Sequence, residues 1–162
     1  MVLPTTSSTA ANKEPNPNNG GYWDAGLVAC LSATGNVEWI QRIILSNFTE
    51  RYYDVVANAN GVYAAGRYSS YIRDGAHFTL GLLTRFDPDT GAVDYHLTMG
   101  NPECSQSLYC LEIDGMTATA GGQANRFDDA SYQAWFVNVD LSSPPVDAKL
   151  GDGKSVGYLG AS

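Results

Sequence analysis

Landmarks along this 162-residue chain return after 56 positions: Gly35 and Gly91, Tyr53 and Tyr109, Gly66 and Gly122. The run Trp23-Asp24-Ala25-Gly26-Leu27-Val28-Ala29-Cys30-Leu31, continuing to Trp39, is echoed by Phe78-Thr79-Leu80-Gly81-Leu82-Leu83-Thr84-Arg85-Phe86, continuing to Tyr95. A weaker third copy opens at Tyr132 and stops about half-way. Repetition at this period marks stacked supersecondary units, none of which buries its apolar faces alone. It constrains architecture strongly and chemistry not at all.

The units read as β-structure. After Tyr22, short apolar or alternating runs are divided by turn-forming residues, and no segment sustains a helical period. Strands are predicted near 24–32, 36–44, 52–58 and 61–68, then near 78–86, 92–99, 107–113 and 115–122, and finally near 132–141, 146–150 and 155–160. Gly35 and Gly91 supply the positive φ that their hairpin turns require, while Asn60-Gly61 and Asp114-Gly115 are two-residue hairpin signals. Four antiparallel strands per repeat describe one blade of a β-propeller. The expected fold is therefore all-β, with about two and a half propeller-like blades (23–77, 78–131 and 132–162) in a domain spanning 22–162. Residues 1–21, rich in Ser, Thr, Asn and Pro, form an arm expected to be extended or disordered.

The same residues resemble a bacterial-type repeat of secreted β-propellers. Asp24-Ala25-Gly26-Leu27-Val28-Ala29-Cys30-Leu31 is similar to that repeat's opening, and Gly35-Asn36-Val37-Glu38-Trp39 to its middle. Tyr53-Asp54-Val55-Val56-Ala57 with Asn60-Gly61-Val62-Tyr63-Ala64-Ala65-Gly66 is similar to its end. The resemblance implies a blade-like fold and an extracellular or cell-surface setting. The Gly35–Trp39 segment also resembles, more weakly, the tryptophan-docking repeat of quinone-dependent dehydrogenases, in which the Trp packs between blades.

Charge narrows the partners. Nine Lys and Arg against 17 Asp and Glu leave a net charge of −8, which repels phosphate backbones and anionic membranes. Nucleic acid is not expected, nor is membrane insertion, since no run approaches the roughly 18 apolar residues of a spanning helix. Residues 1–8 show neither a basic nor an apolar leader region, so a secreted protein would be represented here by a mature or excised form. The three cysteines permit one internal disulfide in three pairings. Cys104 and Cys110, flanking Ser105-Gln106-Ser107, are the first choice, and Cys30 in its apolar run reads as a buried thiol. Asn47-Phe48-Thr49 is the one glycosylation sequon.

Catalytic constellations are absent from the letters. His77 and His96 read as surface residues without a neighbouring nucleophile, and no phosphate-loop, dinucleotide or zinc-protease motif occurs. No cofactor is expected. Asp87 and Asp89 in Asp87-Pro88-Asp89-Thr90-Gly91 are the one weak calcium candidate, and a hydrogen-bonded turn explains the same residues. The ten Tyr and three Trp suit cross-strand packing, sugar stacking or a protein interface.

A short run of blades exposes the stacking faces at its two ends and leaves unpaired strand edges, both of which favour association. The leading expectation is a non-enzymatic extracellular structural subunit that self-assembles, as an oligomer or filament, through blade faces and possible exchange of the arm as a strand. Val2, Leu3, Tyr22, Trp23 and Tyr158 are candidate interface residues. Its partners are then copies of itself or further blades of a larger chain. The alternative is a ligand- or glycan-binding segment of a larger secreted propeller; a quinoprotein-like dehydrogenase fragment ranks third.

Overall fold

A computed structural model describes residues 5–6, 14–15, 22–23, 25–45, 49–71, 77–100, 104–126 and 132–142. It is all-β, without a helix among the described residues. The described residues form twelve strands in order: β1 (Thr5–Thr6), β2 (Glu14–Pro15), β3 (Tyr22–Trp23), β4 (Gly26–Leu31), β5 (Val37–Ile43), β6 (Glu50–Asn58), β7 (Gly61–Tyr71), β8 (His77–Phe86), β9 (Val93–Met99), β10 (Cys104–Asp114), β11 (Thr117–Arg126) and β12 (Gln133–Asp140). All pairings are antiparallel. A first sheet is ordered β1-β4-β5, a middle sheet β6-β7-β8-β9 and a third sheet β10-β11-β12, with β2 and β3 forming a short ladder.

One expectation is corrected. The four strands of a sequence unit do not form one sheet: the four-stranded sheet joins the second half of unit 23–77 to the first half of unit 78–131. A period carries no phase, so the sequence shows how often the pattern returns but not where a sheet begins. Here the long β7–β8 ladder, from Val62↔Phe86 to Tyr71↔His77, holds the two half-units together. The strands expected near 146–150 and 155–160 lie outside the described residues.

The sheets stack face to face. Because side chains alternate along a strand, Val62 and Ala64 of β7 point to one face and Tyr63 and Ala65 to the other, all four fully or almost fully buried. Val62, Ala64, Leu82 and Phe86 pack with Val28, Trp39, Ile43 and Tyr52 between the first and middle sheets. Tyr63, Ala65, Leu83, Leu97 and Met99 pack with Leu108, Leu111, Ala118 and Val139 between the middle and third sheets. The middle sheet is thus apolar on both faces, which explains the continuous run Leu80-Gly81-Leu82-Leu83.

The repeat is also geometric. The pair Gly26↔Ile43 recurs as Gly81↔Met99, Cys30↔Trp39 as Arg85↔Tyr95, and Leu31↔Val37 as Phe86↔Val93, each strand pair carrying its bulge at the same step. Likewise Tyr52↔Gly66 recurs as Leu108↔Gly122, leaving Tyr53 and Tyr109 as the extra residues of matching bulges. At Gly66 and Gly122 a Cβ would stand 1.8 Å from the carbonyl oxygens of Arg51 and Ser107 respectively. Only glycine lets the backbones approach so closely at the bulge.

Candidate functional site

Each sheet has a forward face, turned toward the next sheet, and a rear face. The middle sheet's rear face, carrying Leu82, Thr84 and Phe86, is buried under the first sheet. By the register above, Leu82, Thr84, Phe86, Val93 and His96 correspond to Leu27, Ala29, Leu31, Val37 and Ile40 on the first sheet's rear face. That face is also apolar, but Ile40 is 57% and Val37 61% exposed, with Ile44 beside them at 52%. It has the composition of a stacking surface and the exposure of a free one.

A turn supports the same reading. Gly91 (φ 70°) lies under Trp39, and a Cβ there would be 2.6 Å from the indole. The Trp39 indole N–H donates to the Pro88 carbonyl at 2.9 Å and its ring stacks on Phe86, so the first sheet clasps the turn of the middle one. The equivalent Gly35 (φ 85°) has nothing within 4 Å of its missing side chain. The seat that holds an aromatic at Gly91 stands open at Gly35.

The other end is different. On the third sheet's forward face, Glu112, Thr119, Gly121 and Phe136 stand where the middle sheet has Val56, Tyr63, Ala65 and Leu83. Glu112 and Thr119 are exposed, Thr119 donates its hydroxyl proton to Asn138 at 2.9 Å, and Phe136 is 72% exposed with one ring edge over Gly121. A charged carboxylate and a threonine replace Val56 and the buried Tyr63. A polar outer face of this kind ends a stack.

The other sequence-derived candidates are placed as follows. Cys104 and Cys110 lie on one strand, β10, and all three cysteines are free thiols. Six strand positions span roughly 20 Å, far beyond the ~7 Å Cα separation a disulfide tolerates, so the Cys104–Cys110 pairing is corrected. Cys30 is buried as expected; burial first, then the adjacent Glu38 carboxylate, pushes its thiol pKa up. Asp87 Oδ1 accepts from the Thr90 hydroxyl and from the N–H groups of Thr90 and Asp89, closing a turn. Those contacts, the Thr90 hydroxyl foremost, hold its carboxyl below the usual range. They do not gather with Asp89 into a cation site: no group of three potential metal ligands occurs among the described residues. Tyr22 and Trp23 lie on β3, their side chains outside the described set, while Val2, Leu3, Asn47 and Tyr158 lie outside the described residues altogether.

His96 corrects the surface reading. It is half-buried, its Nδ1 2.8 Å from Thr84 Oγ1, which shares a 2.5 Å hydrogen bond with the buried Tyr52 hydroxyl. Burial lowers its pKa to about 4. The trio links β9, β8 and β6 across the middle sheet's rear face, and no nucleophile–base pair with access to substrate follows from it. Sequence reading missed it because histidine, threonine and tyrosine at separations of 12 and 32 positions carry no local signature.

A scan against protein-family models and a search of curated proteins found no match for this chain.

Proposed function

We propose that this chain is a non-enzymatic structural subunit, built of propeller-blade-type sheets, that associates with a second copy of itself through the rear face of its first sheet. The observation that carries the reading is the correspondence of Leu27 and Leu31 with Leu82 and Phe86, which the middle sheet buries under a neighbour, and of exposed Val37 and Ile40 with the half-buried Val93 and His96. Apolar area of this kind gains about 25 cal/mol per Å² when removed from water. The polar face at the other end argues for a closed, two-fold contact rather than the head-to-tail filament, because face-to-face propagation would press Glu112 against Ile40. An extracellular setting is supported by the repeat resemblance.

Sedimentation velocity over a concentration series tests it. The wild-type chain should pass from monomer to dimer, and Ile40→Lys should hold it monomeric with an unchanged circular dichroism spectrum. A wild type that stays monomeric into the high micromolar range, or an Ile40→Lys chain that dimerises equally, defeats the reading. A second reading, glycan binding, draws on exposed Phe136 near the polar Thr119–Asn138 pair on the same face, an aromatic face with hydroxyl and amide groups suited to sugar rings. Glycan-array signal lost in Phe136→Ala would support it.

A further inference from the structure

The turn at Gly35 continues the first sheet's rear face. At the equivalent Gly91, which is buried, the seat opens toward the first sheet and holds Trp39; Gly35 is exposed, and its seat opens the same way, to the rear. It is therefore joined to the apolar face through Val37 and Ile40. At the far end of β5, Ile43 and Leu45 point into the core between the first and middle sheets, so Ile44 between them faces rearward and is 52% exposed. Ile40 stands midway. Ile44 is four residues beyond it; in the other direction Glu38 is the extra residue of the bulge between Cys30↔Trp39 and Leu31↔Val37, so Gly35 is also four strand steps away, about 13 Å.

We infer that two copies of the chain meet with β5 antiparallel to β5 across a two-fold axis at Ile40, so that Ile44 of each copy fills the seat over Gly35 of the other. The inference rests on the dimer reading and adds its geometry. Equal spacing from Ile40 brings the two positions together, whereas an axis along the strands would set Ile44 level with Ile44 and leave both turns in water. Charge points the same way. Arg42, opposite Leu27 in the register, is the one charged residue among those described at rear-facing positions of β4 and β5. With the strands antiparallel, its guanidinium comes opposite the partner's Val37 and the bulge that carries the exposed Glu38, each two steps from the axis. With the strands parallel it comes level with the partner's Arg42, and like charges brought together across an interface disfavour that arrangement. The apolar gain is of the kind that Trp39 obtains on Gly91, side chain removed from water against a backbone without Cβ.

Disulfide trapping reads the direction of the strands. In a Cys104→Ser, Cys110→Ser background, which keeps only the buried Cys30, one chain carries Asn36→Cys and a second, size-tagged chain carries Ile44→Cys. Mixed under copper–phenanthroline oxidation, the two should form a heterodimer linked between positions 36 and 44. Neither chain alone should crosslink to itself, since like positions fall on opposite sides of the axis, roughly 26 Å apart. Ile44→Ala in the otherwise unchanged chain should weaken the dimer roughly tenfold for each of its two seats, read by sedimentation velocity. If Asn36→Cys disturbs the turn, Thr34→Cys takes its place. Self-crosslinking of the Ile44→Cys chain, absence of the mixed product, or an Ile44→Ala dimer as tight as wild type each overturns the antiparallel arrangement and leaves the dimer standing. A wild type that sediments as a monomer at every concentration overturns the dimer reading, and this inference with it.

Discussion

The rings of Tyr53 and Tyr109 meet edge to face, their centroids 4.9 Å apart and their planes at 66°. They are the same position of successive repeats, each thrown out of its strand by a bulge, and they join the middle sheet to the third. Beside them the Asp54 carboxylate accepts the Leu111 backbone N–H at 2.8 Å, so the bulge of one sheet reaches the bulge of the next. An aromatic pair of this geometry is worth about 0.5–1.5 kcal/mol beyond its buried area. A double-mutant cycle of Tyr53→Ala and Tyr109→Ala, read by urea denaturation, should return a coupling in that range. Coupling below about 0.3 kcal/mol would mean the contact adds nothing to sheet stacking.

Glycine substitutions should separate the bulges from the turns. Gly66→Ala and Gly122→Ala each drive a methyl into a carbonyl, a clash that backbone must relieve, and should cost about 3 kcal/mol or more. Gly35→Ala meets no neighbour and strains only its positive φ, so roughly 1 kcal/mol is expected. Gly91→Ala adds the Trp39 collision to the same strain and should fall between these limits or above them. Thermal or urea unfolding of the four variants checks the order.

Acid should weaken the middle sheet through His96. Its folded-state pKa of about 4 lies below the ordinary 6.5, so the unfolded chain takes up the proton first. The stabilisation from a neutral His96 is complete above about pH 6.5 and is lost progressively as pH falls toward 4. Carboxylates such as Asp87 and Asp140, whose folded pKa values are also lowered, add their own losses at lower pH. The difference between wild type and His96→Gln isolates the histidine: its pH dependence should lie between pH 6.5 and 4. A flat difference across that window would place His96 in water.

Thiol chemistry tests the strand assignment of the cysteines. Cys110 is exposed on β10 and should react rapidly with a disulfide reagent in the native state, whereas Cys30, buried and with a raised pKa, should wait for unfolding. Mass spectrometry of the alkylated, non-reduced chain should find three free thiols. A Cys104–Cys110 crosslink would require β10 to fold back on itself.

What was legible in the sequence follows from the range of each signal. The hairpin turns at Gly35 and Gly91 and the strands flanking them were readable because turn chemistry and alternation act within a few residues. The 56-residue spacing of Tyr53 and Tyr109 was visible too, but not that the two rings touch, which depends on how sheets stack. The grouping of half-units into one sheet was hidden, since a repeating pattern has no intrinsic start. An uncovered stacking face was expected from the number of units, but not which residues line it. Leu27, Leu31 and Ile40 read like any buried strand residues until the register shows which neighbour their counterparts have. The pairing of Cys104 with Cys110 failed because a polar Ser-Gln-Ser run, taken for a loop, continues a strand whose Gln106 and Ser107 are buried.

The polarity of the third sheet is the last point open to trial, because it decides whether stacking ends. If Glu112 and Thr119 are what stop it, returning the forward face to the middle sheet's pattern should restart it. The triple change Glu112→Val, Thr119→Tyr and Phe136→Leu installs the residues that stand at Val56, Tyr63 and Leu83, where the middle sheet packs on its neighbour. Such a chain has one apolar face at each end, and the contact between unlike ends does not close on itself. Light scattering should then grow with concentration and negative-stain images should show linear polymers. Adding Ile40→Lys to the triple variant should abolish them, since the rear face is the other half of every joint. Polymers that survive Ile40→Lys would assign the growth to strand edges instead.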